Sequence, residues 1–120
     1  MAFAKPLVIS YASVDKTLEQ INQDQYGTEY LLRESTQEFR VKIRHSRENA
    51  TKGGVKMDRH NVDLTRTVFG TGTDPDIVEQ VYIVFRNEAR ADVAVSAELG
   101  AALTALMVEA RFADLGAWLS

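Results

Sequence analysis

Three short runs carry the side chains with the most chemistry to offer. Arg40, Lys42 and Arg44 alternate with Phe39, Val41 and Ile43 in FRVKIRHS, so a strand there turns three cations to one face and three apolar residues to the other. Arg59 and Asn61 repeat this phase in DRHNVDLTRTV, and Gln80, Tyr82 and Arg86 repeat it in EQVYIVFR. Cations attract phosphates, Asn and Gln amides reach base edges, and a Tyr ring gives an unpaired base a plane to stack on. Adjacent strands would merge these eight residues into one surface fit for single-stranded RNA. The plainer alternative is an ordinary solvated β face, which is the rule for antiparallel sheets.

Other chemistries lack their parts. There is no cysteine, which excludes disulfides, thiolate metal sites and cysteine nucleophiles. His45 and His60 are the only histidines, and no HExxH or GxSxG motif accompanies them. His60 falls on the apolar phase of its strand and reads as a hydrogen-bonded core histidine. GTGTDPD lacks the GK[ST] ending of a phosphate loop, and a strand follows it. Asp74 and Asp76 could offer oxygens to a hard cation such as calcium at a subunit contact, but two loop aspartates define no site. No cofactor, metal, catalytic residue or small-molecule substrate is expected, and a small α+β enzyme is disfavoured.

The elements that position these residues follow from periodicity. Pro6–Tyr11 and a run around Thr17–Ile21 suggest an N-terminal hairpin, followed by a polar break at Asn22–Asp24. Strands are expected over Tyr26–Arg33, Phe39–Ser46, about Lys56–Val68 and Ile77–Asn87. The connections are Glu34–Thr36, the NATKGG stretch at Asn49–Gly54 and Gly70–Asp76. Val55 and Met57 are out of phase with the later apolar residues, which points to a bulge or a strand start near Asp58. From Ser96, an apparent N-cap, Leu99, Leu103, Leu106 and Ala110 recur at helical spacing, with Glu98 favourable near the helix start. Phe112, Leu115 and Leu119, with Trp118 beside them, give a second short helical piece. Strands first and helices last is an α+β order.

At 120 residues and 45% hydrophobic, the chain reads as one domain over 1–120, without a disordered tail. It lacks the apolar runs of a signal peptide or a membrane span, so it reads as soluble and unsecreted, and the sequon at Asn49 reads as chance. The net charge is −3, yet residues 33–66 carry nine Lys or Arg against five Asp or Glu. Such a basic block can attract a polyanion locally, with the acids expected on other surfaces. Two alanine-rich helices cannot cover a sheet of long strands, so a homodimer is expected.

The stretches INQDQYGTEYLL, FRVKIRHSRE, DRHNVDLTRTVF, DPDIVEQVYIVFR and ADLGAWL resemble the coat proteins of small single-stranded RNA bacteriophages, the leviviruses, and in particular the branch infecting Caulobacter. The resemblance runs from about Leu18 to Trp118. It implies an N-terminal hairpin, a five-stranded antiparallel sheet and two C-terminal helices, in an interlocked homodimer whose ten-stranded sheet is covered by each partner's helices. Seven strands are implied, one more than periodicity places. Phe39, Val41 and Ile43 would then face the partner's helices.

It further implies an icosahedral shell, assembled in the bacterial cytoplasm, whose inner sheet face binds and packages genomic RNA and in some members represses replicase translation. Lys42, Arg44, Arg59, Asn61, Tyr82 and Arg86 fall at RNA-contacting positions, and Arg40 follows by alternation. Val84 falls where some relatives carry a polar base-contacting residue, which favours a charge-driven, salt-sensitive interaction here. Phe69, Gly70, Thr71, Gly72, Thr73, Asp74, Pro75 and Asp76 would form the loop between dimers. A cellular dimeric RNA-binding regulator that builds no shell is the alternative reading.

Overall fold

The computed structural model describes residues 3–49 and 53–119. Among these, six antiparallel strands pair in chain order: β1 (Leu7–Tyr11), β2 (Val14–Asp24), β3 (Gly27–Arg33), β4 (Gln37–Arg47), β5 (Met57–Val68) and β6 (Ile77–Glu88). Helices α1 (Val93–Leu106) and α2 (Glu109–Gly116) follow. The α+β order expected from the sequence is present. Residues 50–52, the middle of the expected NATKGG connection and part of the sequon, lie outside the described residues.

Strand β2 corrects the expected break at Asn22–Asp24. It runs unbroken to Asp24, pairing with β1 over Val14–Leu18 and with β3 over Glu19–Asp24, with a bulge between Gln20 and Asn22. A bulge bends the strand that carries it. One strand thereby serves both the hairpin and a five-stranded sheet, and the described residues hold six strands where the resemblance implied seven. The hairpin turns through Ala12 and Ser13, both left-handed at φ 51° and 65°, as a tight two-residue connection requires. The β4–β5–β6 ladder is regular from Met57 onward, so the phase change near Val55 marks the strand start and no bulge.

Alternation gives the sheet two faces. On the apolar face the hairpin folds over β3 and β4, burying Leu18, Tyr30, Phe39, Val41 and Ile43, with Leu7, Ile9, Tyr11, Leu32, Val62 and Leu64 against them. Phe39, Val41 and Ile43 thus lie under the chain's own hairpin, where helices of a partner were expected. Gly27 opens β3 because a Cβ there would come 2.5 Å from the Ile43 carbonyl oxygen.

The helices bury no residue of their own against the sheet, and only α1 approaches it, beside β6. Asp92 caps α1 by accepting the Ala94 N–H at 3.0 Å, four residues before the expected cap at Ser96. The helix ends where the Met107 N–H bonds the Leu103 carbonyl at 3.0 Å, and α2 departs at 66°. The regular spacing from Leu99 to Ala110 therefore crosses a break. Neither helix has a buried residue, Trp118 is 95% exposed, and α1 stands off β6 across a groove of about 860 Å³. No single described helix is long and apolar enough to cross a membrane.

The dimensions express this openness. The radius of gyration is 17.0 Å, against about 13.6 Å for a compact chain of this length. The accessible surface is 9148 Å², about 2,600 Å² above the roughly 6,500 Å² of a compact monomer of this mass.

Candidate nucleic-acid interface

Strands β4, β5 and β6 are neighbours, and their register places all eight sequence-selected residues on the face away from the hairpin. Arg40 stands opposite Thr65, which stands opposite Gln80; Lys42, Asp63 and Tyr82 form the next rung. Arg44, Asn61 and Val84 form a third, and Arg59 and Arg86 pair directly in a fourth. Successive rungs lie about 6.8 Å apart and strands about 4.8 Å apart, so the set spans roughly 20 Å, enough for several nucleotides. Tyr82 is 61% exposed and offers its ring to solvent.

Charge on this face is not sorted as the sequence suggested. Acids interleave with the cations: Asp24, Glu29, Glu38 and Asp63 project from the same side, by register. Arg40 is held by Glu29 and lies 3.5 Å from Glu38. Arg44 contacts Asp24 at 3.2 Å. The Tyr26 backbone N–H, 2.8 Å from Asp24, together with Arg44, keeps that carboxyl below the ordinary carboxylate range. Arg86 grips Glu48 with two bonds of 2.6 and 2.9 Å, which lowers the Glu48 pKa and raises that of the guanidinium. Asp63 accepts from Gln80 at 2.6 Å and from Thr65 at 3.0 Å.

The cations therefore fall into two groups. Arg40, Arg44 and Arg86 already have carboxylates, so a phosphate must displace or share them. Lys42 and Arg59 are exposed and make no ion pair among the described residues. Alternation alone places Asp63 beside Arg59 and Asn61 and Glu38 beside Arg40, whereas Glu29 enters the face only through its pairing with Lys42 on the neighbouring strand.

The loop between β5 and β6 is closed by Asp76, whose Oδ1 accepts the Gly70 N–H at 2.7 Å. One Asp76 oxygen thus serves the loop itself. No cluster of three metal-ligating side chains occurs among the described residues. His60 is half-buried at the end of the apolar face, hydrogen-bonded but outside the core.

A family model described as "Phage phiCb5, coat protein" matches residues 4–88. The match takes in every strand and ends with the last residue of β6, before both helices. No curated protein matches the chain.

Proposed function

The chain belongs to the coat protein family of phage phiCb5, a levivirus-type single-stranded RNA phage of Caulobacter, and from that premise we propose how it builds a virion and holds its genome. Two copies pair through their β6 edges, which doubles the five-stranded sheet to ten strands. The helices of each copy cross onto the part of the other's apolar face that its own hairpin leaves open, beside β6, where Val81 and Ile83 are exposed. Such dimers close into an icosahedral shell through the Phe69–Asp76 loops, with the polar sheet face inward against single-stranded genomic RNA. The shell assembles in the host cytoplasm.

The observation that carries this reading is the surplus surface. About 2,600 Å² per chain is more than a compact monomer leaves open, and two copies would together cover up to about 5,200 Å², the scale of obligate homodimers. The surplus is apolar where pairing needs it. Strand β6 is a twelve-residue edge with Val81, Ile83 and Val84 exposed, and Leu99, Leu103 and Leu106 are exposed on α1. A long apolar edge left unpaired is an aggregation hazard that pairing removes.

On the inner face, Lys42 and Arg59 make the first phosphate contacts, and Arg40, Arg44 and Arg86 exchange carboxylates for phosphates as RNA settles. Tyr82 stacks a base, and Asn61 and Gln80 offer hydrogen bonds to base edges. Because the Val84 side chain provides no hydrogen bond, affinity rests mainly on charge and not on one specific hairpin.

Electron microscopy of the expressed protein, with extraction of bound nucleic acid, tests the proposal. Regular particles containing RNA are expected. Discrete dimers that bind RNA and never form particles would instead identify a regulator without a shell.

A further inference from the structure

His45 and His60 stand directly opposite each other on β4 and β5, at the open end of the apolar face, with their Nδ1 atoms 2.9 Å apart. Two nitrogens bound side by side to one metal ion at about 2.0–2.1 Å and 90° lie about 2.9 Å apart. The spacing matches a chelate, but the ring centroids, 5.1 Å apart, set the rings nearly head-on as a hydrogen bond requires, so a metal is taken up only when the exposed His45 ring rotates until both lone pairs converge on it.

The surrounding bonds decide which nitrogen carries which proton. The Asn87 side chain, 7% exposed, donates through Nδ2 to the Glu88 carbonyl at 3.2 Å, which turns its Oδ1 toward His60. That oxygen lies 3.1 Å from His60 Nε2 and can only accept, so Nε2 carries the proton of the neutral ring. His60 Nδ1 is left as a lone pair aimed at His45. A ring N–H anchored on an amide or backbone carbonyl, with the other nitrogen free, is the arrangement that orients metal-binding histidines. His45, which is exposed, donates from Nδ1 in the absence of metal. It frees that nitrogen by moving the proton to Nε2 through solvent, with no net change in proton count.

We propose that His45 and His60 form a two-histidine chelate for a divalent transition-metal ion, best filled by Cu²⁺. Imidazole suits copper, 90° suits its tetragonal geometry, and copper heads the affinity order of first-row divalent ions. A groove of about 490 Å³ opens over the pair and leaves room for water on the remaining positions. Asp58 lines the same groove, but Arg47 holds its carboxylate at 2.8 Å, which leaves the chelate with two protein ligands. The inference is independent of RNA binding and of shell formation.

The test is Cu²⁺ titration of the purified full chain, freed of metals with a chelator, at neutral pH, followed by electron paramagnetic resonance. One Cu²⁺ per chain with two coordinated imidazole nitrogens is expected. His45→Asn, on an exposed residue, and His60→Gln should each lose at least about tenfold in affinity and leave one imidazole nitrogen. Asn87→Ala, which removes only the orienting amide, should weaken binding by about tenfold while both nitrogens persist. Absence of saturable binding by the wild-type protein would overturn the proposal, as would full binding by folded His45→Asn. Circular dichroism establishes that each variant is folded.

Discussion

Tyr11 stands edge-on to Phe39, with ring centroids 5.1 Å apart and planes at 90°. This contact ties the tip of the N-terminal hairpin to the start of β4. Arg66 lies 5.2 Å from the Tyr11 centroid and Lys16 lies 5.8 Å from that of Phe39, so a cation flanks each ring. The hairpin is thereby a lid over a small core, and the stability of the sheet depends on it.

Tyr11→Ala should therefore destabilise the protein by about 2 kcal/mol, from lost half-buried ring area and the edge contact. Tyr11→Phe should cost far less, since the ring and its contact with Phe39 remain. Thermal unfolding of both variants checks this, and equal melting temperatures for Tyr11→Ala and wild type would contradict the lid.

Acid should loosen the far side of the sheet. Arg86 holds the folded-state pKa of Glu48 below its ordinary value, so the pair's contribution is complete above about pH 4.3, the unfolded value. It is lost as pH falls through the lower folded value. Asp24, Glu34 and Glu38 are shifted the same way by their hydrogen-bond partners, with Tyr26 the main cause for Asp24, Lys16 for Glu34 and Arg33 for Glu38. Melting temperature should fall steadily below pH 4, and the fall should be shallower in Glu48→Gln. An identical profile for that variant would remove the pair from the account of acid sensitivity.

Interleaved charge makes the cations unequal. Lys42→Ser and Arg59→Ser remove cations that make no ion pair among the described residues, so each should reduce the salt dependence of RNA retention by about one unit of slope. Arg40→Ser should do less, since Glu29 already neutralises that guanidinium. Glu29→Gln should strengthen retention by freeing Arg40. The triple change of Arg40, Lys42 and Arg44 to Ser leaves the apolar face intact and should give a folded protein with weakened packaging. RNA binding measured across salt concentrations separates these cases, and an unchanged slope in the triple variant would place the RNA elsewhere.

How much of this was legible beforehand depended on whether each segment has two different faces. Strand β4 separates Phe39, Val41 and Ile43 from Arg40, Lys42 and Arg44, and its expected bounds fall within two residues of the observed ones. The end of β2 has no such contrast: Ile21 to Asp24 are exposed, so nothing in their pattern distinguishes strand from turn. Helix α1 begins with Val93 and Val95, poor helix formers, which hid its start behind Ser96. The composition of the candidate interface was readable by alternation. Its charge balance was readable only in part, because Glu29 meets Lys42 only through the pairing of separate strands.

The helices supply the most direct check on how two copies meet. Leu99 and Leu103 are 74% and 51% exposed in the single chain and lie one turn apart on α1. If solvent surrounded them in the native protein, changing both to Lys would be nearly neutral, since surface substitutions usually cost little. If a partner's sheet covers them, the same change places two charges in an apolar interface, where each unpaired charge carries a desolvation cost of several kcal/mol. The expected result is loss of both particles and dimers, with far-UV circular dichroism reporting the strands of any residual monomer. Sedimentation of Leu99→Lys/Leu103→Lys against wild type reads the outcome. Normal particles from the double variant would mean that α1 faces solvent and that the surplus surface is buried in some other way.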